Sequence, residues 1–211
     1  MRQVYAGIVL LIAGLSAVGC GAQPAETPAA VETLPGEEPQ AEATSEPTGG
    51  DTGAQTTGIG IVDEVIAAVL SGDGDVTYAL ISFTTAGCTT AEGLGGPPKC
   101  LPGQPEGDPV NYLPVLGPGE GVTVPPDEIS SLLPFPVESL YGVYRVPDDA
   151  LEEPGWPVGE YGLVFASTDS FTPALTLRVD EGGIVRADYH MEQPGEVLER
   201  DAGEVILGPS G

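Results

Sequence analysis

The sequence predicts an α+β fold: two N-terminal helices packed on a mainly antiparallel sheet of about four to five strands, in a single domain over residues 58–211. Three observations predict it. Apolar residues recur at three- and four-residue spacing from Ile59 onward, runs rich in Val, Leu, Tyr and Phe follow residue 139, and residues 21–57 hold little that can pack. At 211 residues there is room for one domain plus appendages.

The first twenty residues, MRQVYAGIVLLIAGLSAVGC, place Arg2 ahead of an apolar run from Val4 to Val18. That run falls short of the ~20 apolar residues that span a bilayer, and it ends in small residues, as a secretory signal does before cleavage. The segment resembles a bacterial lipoprotein signal, with Ala17, Val18, Gly19 and Cys20 in the place of the lipobox, although Leu is usual where Ala17 stands. The resemblance implies removal of residues 1–19, thioether lipidation of Cys20 and acylation of the new amino terminus. The protein would then be extracytoplasmic and anchored to the bacterial cell membrane through Cys20, with several acyl chains giving stable attachment. An uncleaved anchor and an ordinary secretory signal are the alternatives.

After Cys20, residues 21–57 lack any aromatic residue and hold only Val31 and Leu34 as large aliphatics. Such a segment buries too little apolar surface to offset its ordering entropy, so residues 20–57 are expected to form a disordered acidic tether, extended by proline and like charge. The whole chain carries 32 acidic and 6 basic residues, a formal charge of −26. That surface repels nucleic acid and excludes it as a partner. It tolerates a cation or a basic protein, and it also serves plain solubility.

In the domain, Ile59, Val62, Ile66 and Val69 mark the first helix, stopped by Gly72 and Gly74, and Val76, Leu80 and Phe83 mark a second, N-capped by Asp73 or Asp75. The stretch SGDGDVT alternates Asp73 and Asp75 like a calcium loop but lacks the further ligands such a loop needs, which favours the capping turn. Next comes GCTTAEGLGGPPKCLPGQPEGD, with six glycines, four prolines, and Cys88 and Cys100 twelve positions apart. Outside the cytoplasm two remaining thiols pair naturally, so a Cys88–Cys100 disulfide stapling this Gly/Pro loop is expected. A metal site would need more ligands, and a redox site a closer pair. The stapled loop is also a possible recognition surface.

PPDEISSLLPF reads as one or two helical turns. Strands are expected over residues 139–146, 160–167, 173–179 and 184–191, with the long acidic insertion PDDALEEPGWPVG between the first two and Trp156 packing back as a cover. Leu175, Leu177 and Val179 alternate along one strand, and Val185, Ala187, Tyr189 and Met191 along the next. Joining like faces requires an odd loop centred on Gly182, which pairs Val179 with Val185, Leu177 with Ala187, Arg178 with Arg186 and Thr176 with Asp188. Helices followed by antiparallel strands, together with VDEGGIVRADYH, resemble the ketosteroid-isomerase-like or nuclear-transport-factor-like cone fold. That resemblance implies either a binding domain or a small-substrate isomerase or hydrolase.

The chemistry-bearing inventory is short. His190 is the single histidine, no G-x-S-x-G elbow is present, and GLGG lacks the context of a phosphate loop. No cofactor is implied. The candidate ligand face is Arg178, Arg186, Asp188 and His190, either lining a concavity or lying on a solvated sheet face with ordinary charge pairing. The leading expectation is a noncatalytic lipoprotein that binds an envelope protein or a small polar ligand; the alternative is an enzyme using Asp188 with His190.

Overall fold

The computed structural model describes residues 56–93, 95–151 and 153–209. The predicted signal segment 1–19, Cys20 and all but the end of the tether 20–57 lie outside the described residues. Order at the start of the domain is fixed by one carboxylate. Asp63 accepts hydrogen bonds from the Thr57 amide and hydroxyl at 2.7 and 2.8 Å and from the Gly58 amide at 3.1 Å. These bonds tie the entering chain to the first turn of helix α1 (Gly60–Ser71).

Helix α1 ends at Gly72 in the left-handed region, and the chain re-enters a short helix α2 (Gly74–Tyr78) whose N-cap is Asp73. The Asp73 carboxylate accepts from the Asp75 and Val76 amides, the capping turn rather than a cation loop. Helix α2 stops at Tyr78, so Leu80 and Phe83 lie beyond it and the expected second helix is shorter than its apolar spacing suggested. Strand β1 (Thr84–Gly87) then pairs with β2 (Pro109–Leu116).

Beyond them lie β3 (Gly121–Val124), a 3₁₀ turn at Ile129–Ser131, β4 (Val137–Arg145), β5 (Tyr161–Ser167), β6 (Ala174–Asp180), β7 (Gly183–His190), helix α3 (Pro194–Asp201) and β8 (Glu204–Leu207). Among the described residues the eight strands form one mixed sheet of order β1-β2-β7-β6-β5-β4-β8, with β3 paired to β2. The β2–β7 pair is parallel and the other strand pairs antiparallel.

The sheet therefore exceeds the four to five strands expected, and α3 was not foreseen. Strands β1, β3 and β8 are four residues each, too short to show a period of two against their surroundings. Helix α3 (PGEVLERD) is mostly polar and turns only Pro194, Val197 and Leu198 inward.

Both faces of the sheet are covered. On one, Val62, Val65, Ile66 and Val69 of α1 join Leu163, Phe165, Leu175, Leu177, Val179 and Ala187 in the main core. On the other, Val197 and Leu198 of α3 pack with Tyr144, Val164 and Ala174 in a smaller one. This explains why residues 174–179 are buried without alternation.

The β6–β7 hairpin keeps the expected register at Leu177–Ala187, Arg178–Arg186 and Thr176–Asp188, but by another route. The turn is the two-residue Glu181-Gly182, with Asp180 opposite Gly183 and Val179 opposite Ile184, not Val185. Val185 is the additional residue of a β-bulge between Val179 and Arg178. A bulge shifts register by one residue, as an odd loop would, so the faces still match.

The insertion 147–159 crosses the second face. Tyr112 donates from its hydroxyl to the Gly155 carbonyl at 3.0 Å, and the Trp156 ring lies directly on Gly121, where any side chain would collide with it. The disulfide Cys88–Cys100 closes the Gly/Pro loop, whose backbone adds Thr89 N to Pro98 O and Cys100 N to Thr89 O. No helix among the described residues is long and apolar enough to cross a membrane.

Candidate functional site

The strand register lines up one row of side chains on the face beneath α3: Tyr144, Gly162, Arg178 and Arg186 on β4, β5, β6 and β7. Because Gly162 has no side chain, the Tyr144 ring lies flat across it, and any Cβ there would collide with the ring. The ring reaches the Arg178 guanidinium, whose Cζ is 5.5 Å from the ring centroid. The next row holds Val164, Thr176 and Asp188, and the one after it Ala166, Ala174 and His190.

Two arginines directly opposite each other are mutually destabilising without an anion. Asp188 supplies it for both. It accepts from Arg178 Nε at 3.0 Å, from Arg186 Nε at 2.7 Å and from Arg186 Nη2 at 2.9 Å. The three side chains are only 10%, 10% and 4% exposed for Arg178, Arg186 and Asp188, so this is a buried Arg–Asp–Arg triad. The solvated-face reading fails for these three residues because α3 and the 147–159 insertion cover them.

Helix α3 adds an outer layer of charge. Pro194 sits in its first turn, and Glu196 accepts from the Gln193 amide at 3.0 Å, fixing the helix start. The helix then presents Arg200 and Asp201 over the triad. Asp201 accepts from Arg178 at 3.4 Å and from Arg200 Nε at 2.6 Å, and Arg200 also reaches Glu192 at 2.6 Å.

His190 is held in place by this layer. Arg200 Nη2 lies 3.3 Å from His190 Nδ1 and can only donate, so Nδ1 accepts and Nε2 carries the proton toward Thr176 Oγ1 at 3.0 Å. Burial lowers the His190 pKa from its ordinary 6.5, opposed by Asp188 and reinforced by Arg200. Both ring nitrogens are thus engaged, and the Asp188 carboxylate is held by two guanidiniums. That is poor preparation for general acid–base work by this pair.

The triad floors an open cleft of about 940 Å³. Its walls are the β2–β3 turn from Leu116 to Gly119, the end of β7 with Met191, and Glu196 and Arg200 of α3. Arg186 also borders a cavity of about 390 Å³ beside Trp156 and one of about 310 Å³ between the insertion and α3. The four predicted residues Arg178, Arg186, Asp188 and His190 therefore come together at one cleft.

The sequence did not point to Tyr144, Leu116, Arg200 and Asp201. Only the last two had a legible signal, the Pro194–Glu196 helix start that places them in the last turn of the helix. The Tyr144 hydroxyl is the one buried side-chain polar atom without a hydrogen-bond partner among the described residues. Burial pushes its pKa well up, against the pull of the nearby Arg178. The described residues hold no group of three His, Cys, Asp or Glu side chains arranged for a metal ion.

No protein-family model, no curated protein and no solved structure matches the chain.

Proposed function

We propose that this is a lipid-anchored extracytoplasmic protein whose domain binds a small polar or anionic ligand without transforming it, in the cleft between the β2–β3 turn, β7 and α3. The observation that carries the binding role is the buried triad opening on that cleft. Charged groups this deeply buried are costly unless paired, and Arg186 is paired on one side while bordering open volume on others. Engagement of Asp188 and His190 in fixed bonds supports binding over catalysis. The apolar run ending in Val18, Gly19 and Cys20 supports the anchor, and the disulfide suits an oxidising compartment.

Two experiments test the proposal. In a thermal-stabilisation screen of small anions, polar metabolites and envelope extracts, at least one component should raise the melting temperature of the full chain. Arg178→Gln/Arg186→Gln should abolish that shift; a shift surviving in the double variant moves the site elsewhere, the stapled loop first. Mass spectrometry of the native amino terminus should find lipid on Cys20, and an unmodified Cys20 or a chain starting at Met1 rejects the anchor.

A further inference from the structure

We infer that the cleft takes a small monoanionic carboxylate carrying an apolar body of several carbons, an inference that rests on the binding role proposed above and narrows its ligand class. The shape of the free donor edge comes first. Arg186 spends its Nε and one Nη2 hydrogen on Asp188, a side-on pairing. Its Nη1 has no acceptor among the described residues, which leaves the end-on edge, Nη1–H beside the second Nη2–H, unshared on a residue that borders three cavities. Two parallel N–H groups match the two oxygens of a planar carboxylate.

Charge sets the limit on the ligand. The Arg178–Asp188–Arg186 triad alone has one positive charge in excess, placed at the cleft floor. Outside it the balance reverses, since Arg200 pairs with Asp201 and Glu192, and Glu196 lines the same cleft wall. Asp201 offsets part of that excess on the Arg178 side, so one negative charge is met by the unshared Arg186 donors alone, while a second would only add to the carboxylates of the wall in a chain of net charge −26. A phosphate dianion is disfavoured on this count.

The rim supplies the apolar half. Leu116 and Met191 border the large cleft, and Leu151 borders the two smaller cavities that Arg186 also lines. Met191 is 58% exposed and Leu151 89%, large apolar side chains left uncovered around a charged floor. An alkyl or aryl body attached to the carboxylate would cover them.

Calorimetric titration of the full chain at pH 8 with hexanoate, acetate, hexyl phosphate and hexylamine tests this. Hexanoate should bind at least tenfold more tightly than each of the others. Arg186→Gln should weaken hexanoate tenfold or more while retaining the wild-type circular dichroism. Met191→Ser, a neutral change at an exposed position, should weaken hexanoate several-fold and leave acetate unchanged. If hexyl phosphate or acetate matches hexanoate, with affinity still dependent on Arg186, the ligand class is overturned and the binding role stands. If no compound binds in an Arg186-dependent way, both are overturned.

Discussion

Replacing Asp188 with asparagine is the sharpest perturbation of this fold, because it keeps shape and removes one charge. In the wild type one carboxylate, 4% exposed, holds two guanidiniums that are each 10% exposed and sit opposite each other on adjacent strands. Asp188→Asn leaves two buried like charges with one amide between them. Breaking a buried ion pair by removing one partner typically costs about 3–5 kcal/mol. For a domain of this size, with a urea dependence near ~2 kcal/mol per molar, the midpoint should fall by roughly 1.5–2.5 M.

Urea titration followed by fluorescence of Trp156, the single tryptophan, measures it. The companion variant Arg178→Met/Asp188→Leu/Arg186→Met removes every charge of the triad together and should recover most of the loss, since apolar replacement of a buried charge network is often neutral or stabilising. A shift below about 0.3 M for Asp188→Asn, the size of a surface ion pair, would refute the claim that the triad is buried.

Tyr144→Phe removes the unpartnered buried hydroxyl and keeps the ring over Gly162, so it should be neutral or stabilise by about 1 kcal/mol in thermal unfolding; a loss of that size instead would mean the hydroxyl has a partner. His190, facing Asp188, Arg200, Asp201 and Glu192, has a folded pKa below its unfolded value of 6.5, so between the two the unfolded state binds more protons. Its contribution is complete above pH 6.5 and is lost as pH falls through the folded pKa; the fall should flatten in His190→Gln, and an unchanged profile in that variant assigns the dependence to carboxylates. Cys88→Ala/Cys100→Ala should cost about 3 kcal/mol by releasing a twelve-residue separation in the unfolded chain, read from urea midpoints, whereas a loss under 1 kcal/mol would show that the loop packs without its bond.

What could be read from the sequence, and what could not, divides along physical lines. Period-three-and-four spacing from Val62 to Val69 survives because one face of α1 meets the core. The pairing of Arg178 with Arg186 was legible because only one register joins like faces, yet the bulge at Val185 was not, since a bulge leaves no compositional mark. Tyr144 was invisible as a site residue for a related reason. Its place beside Arg178 depends on the pairing of three strands across Gly162, and no local pattern encodes that. The choice between a concavity and a solvated face for Arg178, Arg186 and Asp188 was not legible because α3, eight residues with two of them strongly apolar, carries too weak a stripe to predict where it docks.

The most direct test of the account is where a ligand touches the protein. With the chain isotopically labelled, hexanoate titrated at pH 8 should shift the NMR signals of the Arg186 Nε–H, of Leu116 to Gly119 and of the Met191 methyl, saturating together with one affinity. Shifts centred on the Cys88–Cys100 loop, or no saturable shift at Arg186, would contradict it.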